Sequence, residues 1–163
     1  MIELRKATQS DAYLLAQTRR IVWEENFRGI YPDEKLDQYD VSAYARRDAL
    51  RIADPRQQYY LYMVGEECVG YLSFGPYNYG SYKDFDLCLN HLYLRNGYKG
   101  LGLGKQAFNL LRQYCAEHKI QKFFCGCNAR NHLAMGFYRH MGGVIDESIP
   151  TTDTVYFEFH LGD

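Results

Sequence analysis

Three glycines at alternate positions, Gly100, Gly102 and Gly104, stand in "LYLRNGYKGLGLGKQAF", Leu92 to Phe108, between an apolar run and a helical pattern. This junction constrains the fold more than any other stretch of the chain. A strand must end there and a helix begin, which calls for mixed α and β structure. The first N–H groups of a helix lack intrahelical partners and point outward. With the helix dipole, they form a natural seat for a phosphate or pyrophosphate. Missing side chains at the three glycines let a ligand approach the backbone, and Lys99 and Lys105 add charge nearby. A glycine-rich turn without a ligand is the other reading.

Two familiar phosphate motifs fail here. A Walker loop needs G-x-x-x-x-G-K-[ST]. Gly104-Lys105 supplies its end, but Lys99 stands at the first glycine position and Gln106 at the Ser/Thr position. Gly102, Gly104 and Ala107 formally meet G-x-G-x-x-[GA]. However, the downstream "KFFCGC" brings no acid for a ribose hydroxyl, and about 90 residues precede the motif.

The rest of the chain supplies alternating elements. "IELRKA" reads as a first strand, and Thr8 to Asp11 as a capping box opening a helix with Ala12, Leu15, Ala16 and Trp23 largely on one face. That helix is expected to end near Gly29. A second helical region runs from about Asp33 to Ala53 and stops at Asp54-Pro55. "YYLYMV" and "CVGYLSF" form a hairpin, and "FDLCLNHLYL" is a long strand. A helix follows from Leu103 to His118, then the strand "KFFCGC", a helix from Asn131 to Met141, and closing strands near Gly143–Glu147 and Thr154–His160. The expectation is an α/β (mixed α+β) fold: a central mixed sheet of about seven strands flanked by about four helices, in one domain over residues 1–163.

Charge excludes several classes. Lys plus Arg total 19 and Asp plus Glu total 20, with no block of one sign, so neither nucleic acid nor an acidic membrane is an expected partner. Apolar runs fall far short of a bilayer span, and the charged start "MIELRKATQSD" does not read as a secretion signal. Five irregularly spaced cysteines, with Cys125-Gly-Cys127 too tight for a usual zinc pair, read as buried, reduced thiols of a cytoplasmic protein and not as a metal site.

Two motifs carry a resemblance. "LNHLYLRNGYKGLGLGK" resembles the acetyl-CoA-binding segment of the GNAT N-acetyltransferase superfamily, an apolar strand, a turn, then [QR]-x-x-G-x-[GA]. Lys99 stands in the Gln/Arg place, and Gly102 and Gly104 in the small-residue places. "NARNHLAMGFYRHMGG" is similar to the family's N-x-x-A-x-x-x-Y-x-x-x-G, with Asn131, Ala134, Tyr138 and Gly142 in register and Gly143 where an aromatic is usual. The start "IELRKATQSDAYLLAQ" also looks like a GNAT opening, so the resemblance spans nearly the whole chain.

The resemblance implies acetyl-CoA as cosubstrate, an amine as acceptor and no metal. It implies a GNAT-like sheet in which the strand Leu87–Leu94 splays from "FFCGC" to admit the pantetheine arm, pairing it with backbone at Leu92, Tyr93 and Leu94. A backbone N–H near Leu92 would polarise the thioester carbonyl. The pyrophosphate would rest on N–H groups of the run Gly100, Leu101, Gly102, Leu103, Gly104 and Lys105, with Lys99 contributing mainly backbone. Asn131 would contact the cofactor, and Tyr138 would protonate the departing thiolate. Position alone also fits Tyr138 as a core residue.

Relatives often hold a glutamate base at the place of Cys88. Asp86, Asn90 (which can only orient a water) and His91 are the nearby polar residues, and an amine arriving neutral would need no base. For the acceptor, "VWEENFRGIYPDE" offers Trp23, Phe27 and Tyr31 beside Glu24, Glu25, Asp33 and Glu34. That set suits a cationic amine, and it equally describes an aromatic core with a solvated acidic face. Polyamine, amino acid, aminoglycoside and protein N-terminus stay open, as do a homodimer and a GNAT-fold module that senses acetyl-CoA without transferring it.

Overall fold

The computed structural model describes residues 1–150 and 153–162. Strand β1 (Glu3–Lys6) leads through a 3-10 turn (Gln9–Asp11) into α1 (Ala12–Asn26), α2 (Asp33–Asp37) and α3 (Val41–Ala53). Then come β2 (Gln58–Val64), β3 (Glu67–Gly75), β4 (Cys88–Leu94), α4 (Leu103–Glu117), β5 (Lys122–Asn128), α5 (His132–His140), β6 (Val144–Ile145) and β7 (Thr154–His160). The seven strands form one mixed sheet in the order β1-β2-β3-β4-β5-β7-β6. β1 pairs antiparallel with β2, β5 and β6 pair antiparallel with β7, and β4 pairs parallel with β5 at Cys88↔Phe124.

The described residues hold five α-helices where about four are expected. The extra one arises because the region from Asp33 to Ala53 breaks at Gln38–Asp40. Tyr39 turns inward there, its hydroxyl donating to the Ala16 carbonyl at 2.7 Å. Asp40 then restarts the helix as a cap, its Oδ1 accepting from Ala43 N–H at 3.1 Å. The capping reading at Thr8 holds: Asp11 Oδ2 accepts from the Thr8 N–H at 2.8 Å. In the β2–β3 hairpin, Gly65 takes φ +60 as the first of two turn residues, the position where a II′ turn requires glycine.

The chain divides into two compact units, one of Met1–Ser73 with His91–Leu103, the other of Phe74–Asn90 with the chain from Gly104 onward. The first unit packs Ala7, Leu15, Tyr59, Leu61, Met63, Cys68 and Tyr71 into one cluster. Val22, Trp23, Phe27, Leu36 and Tyr39 form another. In the second unit, Phe123 of β5 and Phe159 of β7 stack at 4.6 Å between centroids, and Phe108 of α4 meets the Phe159 ring edge-on at 5.2 Å. Tyr82, Cys88 and Phe124 form a separate cluster there. All five cysteines are buried and unpaired. No helix of the described residues is long and apolar enough to cross a membrane.

Candidate functional site

The glycine segment begins where β4 ends at Leu94 and runs into α4 at Leu103. Its three glycines have two different causes. Gly100 and Gly102 adopt φ +76 and +81, and a Cβ at either would meet nothing within 4 Å. Here glycine answers to backbone conformation, and the space beside it is open. Gly104 lies inside α4, where a Cβ would stand 2.6 Å from Cζ of Phe137. It is glycine because α5 packs against α4, whereas the space beside the first two is open.

Leu101 and Lys105 are exposed, and Leu103 is buried with its carbonyl accepting from the Tyr62 hydroxyl at 2.8 Å. The Lys99 ammonium bonds Asn26 Oδ1 on α1 and is held below its ordinary pKa by burial. Its charge is therefore directed at α1. Among the ligand-seat residues, Leu92, Tyr93 and Leu94 are half-buried along β4.

β4 owes its placement to a residue that the sequence does not single out. A Cβ on Gly70 of β3 would lie 2.3 Å from the Tyr93 carbonyl oxygen and 3.1 Å from Leu94 Cα. Only glycine lets β3 come this close to β4. The Arg95 N–H, donating to the Val69 carbonyl at 2.9 Å, holds the same junction. Glu25 of α1 fixes the turn beyond it by accepting from the Asn96 N–H at 2.9 Å.

In the second unit, Asn131 is the N-cap of α5, its Oδ1 accepting from the Ala134 N–H at 3.2 Å. This gives the N-x-x-A spacing a physical cause. Tyr138 lies on α5 and is 8% exposed, its ring among Phe137, Phe157 and Phe108.

The expected base positions come out as follows. β4 begins at Cys88, so Asp86 lies before the strand and is exposed. Burial pushes the Cys88 thiol up, leaving it protonated. Asn90 braces the β3–β4 connection: its Nδ2 donates to the Pro76 carbonyl at 3.0 Å and its Oδ1 accepts from the Asn78 N–H at 3.1 Å. His91 is buried, with Nδ1 2.7 Å from Ser73 Oγ. Burial, then the charges of Arg19, Arg51 and Arg47, hold its pKa well below the usual value.

The acidic and aromatic α1–α2 segment answers to its own cations. Arg28 engages Glu24, Asp33 and Asp37, the last at 2.9 Å. The Lys35 ammonium sits 4.3 Å from the Tyr31 ring centroid and 5.1 Å from that of Trp23. The exposed Lys35 side chain thus brings its charge to two of the three rings in this set.

The profile of the Acetyltransferase (GNAT) family matches residues 15–142. The chain belongs to this GNAT family. Its fold is shared by the PaiA N-acetyltransferase from Thermoplasma acidophilum, solved with coenzyme A (TM-score 0.79, 16% identity, covering 98% of this chain and 99% of that one). It is shared also by an acetyltransferase from Thermus thermophilus (TM-score 0.75, 22% identity, 99% and 97%). A third GNAT structure, from Staphylococcus aureus, gives a TM-score of 0.73 at 18% identity over 99% and 100% of the two chains.

Proposed function

We propose that this GNAT chain is an acetyl-CoA-dependent N-acetyltransferase that moves an acetyl group to a primary amine of a small molecule or peptide by direct attack. The observation that carries the reading is the open, positive-φ turn at Gly100 and Gly102 leading into α4. There, backbone N–H groups from Gly100 to Lys105 are suited to the pyrophosphate. The backbone of Leu92, Tyr93 and Leu94 takes the pantetheine, and an N–H near Leu92 polarises the thioester carbonyl. Bound acetyl-CoA supplies the activated acyl group.

Asn131 and Tyr138 take their roles from the family register. Asn131, whose Oδ1 caps α5, keeps its amide nitrogen to offer the cofactor. Tyr138 donates a proton to the departing sulfur. The protonated Cys88 favours a second reading, a module that binds acetyl-CoA without transfer.

Free-thiol release with a panel of amines separates the two. In the same assay Tyr138→Phe should lower kcat by about 10²-fold or more, the scale of general-acid catalysis, while calorimetric acetyl-CoA affinity stays as in the wild type. Equal turnover by both proteins would return Tyr138 to a packing role.

A further inference from the structure

The first unit buries a polar pair, Ser73 of β3 and His91 of β4, that neither the cofactor seat nor proton transfer uses. Ser73 is 0% exposed and His91 8%. His91 Nδ1 lies 2.7 Å from Ser73 Oγ. Three rings confine the imidazole further, with centroids 5.3 Å away for Tyr71, 5.4 Å for Tyr93 and 6.5 Å for Tyr59. Packing alone does not call for such a pair, since two apolar side chains would fill the space without burying polar atoms. A hydrogen bond adds direction, which packing lacks.

Contacts between β3 and β4 run in opposite order along the two strands. The Val69 carbonyl accepts from the Arg95 N–H, Gly70 abuts Leu94, the Tyr71 ring meets that of Tyr93, and Ser73 bonds His91. The strands are therefore antiparallel, with Ser73 directly opposite His91. In such a pair the N–H and C=O groups of alternate residues face the partner strand. The Arg95 N–H faces β3, so the backbone groups of Tyr93 and His91 face it too. The Leu92 N–H then points away from β3. It shares one rigid peptide plane with the His91 carbonyl, so the orientation of His91 sets the direction of that N–H.

We propose that His91, tied across the strands to Ser73, is a positioning residue that aims the Leu92 N–H at the thioester carbonyl of bound acetyl-CoA. This rests on the acetyl-CoA reading above. The Ser73 bond holds the His91 side chain, the three rings keep it from swinging, and the peptide plane carries that constraint to the donor. His91 acts through the peptide and not on the acyl group.

The test reads the donor directly. Acetyl-CoA isotopically labelled at the thioester carbonyl is bound to the protein, and its carbonyl stretch is recorded by difference infrared spectroscopy, beside kcat for free-thiol release and calorimetric affinity. The stretch should lie lower in the wild type than in Ser73→Ala or His91→Leu, which both lose the bond. Each variant should lower kcat by about 10- to 100-fold, up to the scale of a 1 Å misplacement, with acetyl-CoA affinity unchanged. His91→Asn, which places an amide where Nδ1 stands, should recover most of both the stretch and kcat. The double variant should lose no more than either single one, as for two ends of one bond. Ser73→Ala removes a single buried oxygen and carries the test where His91→Leu fails to fold. A wild-type stretch and kcat in Ser73→Ala, even with a lower melting temperature, make the pair structural and overturn the proposal, leaving acetyl transfer intact. A wild type that binds acetyl-CoA without lowering the stretch overturns it whatever becomes of the variants. If no amine releases thiol, yet the wild type lowers the stretch and Ser73→Ala does not, the positioning stands and the transferase reading falls. If acetyl-CoA does not bind, both fall.

Discussion

Gly70 offers the sharpest link between packing and chemistry. In Gly70→Ala, the new methyl carbon would stand 2.3 Å from the Tyr93 carbonyl oxygen, 2.9 Å from Leu94 Cδ2 and 3.1 Å from Leu94 Cα. A carbon–oxygen contact settles at about 3.3 Å, so the strands must part by about 1 Å. Leu94 Cδ2 can rotate away, but the carbonyl and the Cα belong to the backbone of β4. Overpacking of this kind costs about 1–3 kcal/mol. The alanine recovers about 0.4–1 kcal/mol by restricting the unfolded chain. A net loss of about 1–2 kcal/mol should lower Tm by about 2–8 °C in a domain of this size.

Function should suffer more than stability, because the displaced atoms are the backbone groups proposed to hold the thioester. A 1 Å misplacement of a reacting centre costs about 10²-fold in rate. The assay pairs a thermal melt with kcat/KM for free-thiol release. Gly136→Ala serves as a control of opposite sign. It lies exposed within α5 with nothing within 4 Å of a Cβ, so the change should stabilise by about 1 kcal/mol. A Gly70→Ala protein melting within about 1 °C of the wild type, with unchanged kcat/KM, would refute the argument.

Other perturbations test the remaining pieces. Gly102→Ala forces a methyl group onto φ +81, at a cost of about 1–2 kcal/mol, and should weaken acetyl-CoA in calorimetry. Gly104→Ala, which collides with Phe137 and keeps its N–H, should leave that affinity in place, and equal losses in both would contradict separate causes for the two glycines. Asp48→Asn leaves the Arg19 guanidinium buried without its counter-charge, for a loss of about 3–5 kcal/mol readable in urea unfolding. A midpoint near that of the wild type would count against the buried pair. His91, with a folded pKa below its unfolded value of about 6.5, contributes stability that is complete above that pH and is lost as pH falls below it, at up to about 1.4 kcal/mol per pH unit. The drop in urea midpoint from pH 7 to 5.5 should be smaller in His91→Gln, and an equal drop in both proteins would mean His91 is not held neutral.

The order of elements was legible because periodicity and turn residues are local. The capping box at Thr8, the hairpin at Gly65 and the helix after Leu103 all follow from neighbours a few positions apart. Pairing across the chain was not legible. Nothing local in "YARRDALR" marks Asp48, which is fully buried against Arg19, 29 positions away. Gly70 resembles any strand glycine until Tyr93 is placed beside it. The motif residues were found with part of their reason missing. Asn131 and Ala134 keep their spacing as cap and capped residue, and Gly104 answers to Phe137. The acidic run near Trp23 was visible, but the arginine and lysine that satisfy it could be assigned only in three dimensions.

The missing base becomes a question of how a neutral amine is supplied under the proposed reaction. Cys88 is protonated, Asn90 is committed to the β3–β4 connection, and His91 is a weak base in a positively charged setting. An aliphatic ammonium with a pKa near 10.4 leaves only about one molecule in 2,500 neutral at pH 7, whereas the α-amino group of a peptide N-terminus, near 7.7–8.0, leaves about one in ten. Positive charge nearby lowers an ammonium pKa further. A carboxylate base beside the nucleophile would have the opposite effect on that equilibrium, stabilising the ammonium that cannot react. Among the acceptor classes left open, the α-amino group of a peptide is therefore the one that asks least of a chain with a cysteine where relatives hold a glutamate.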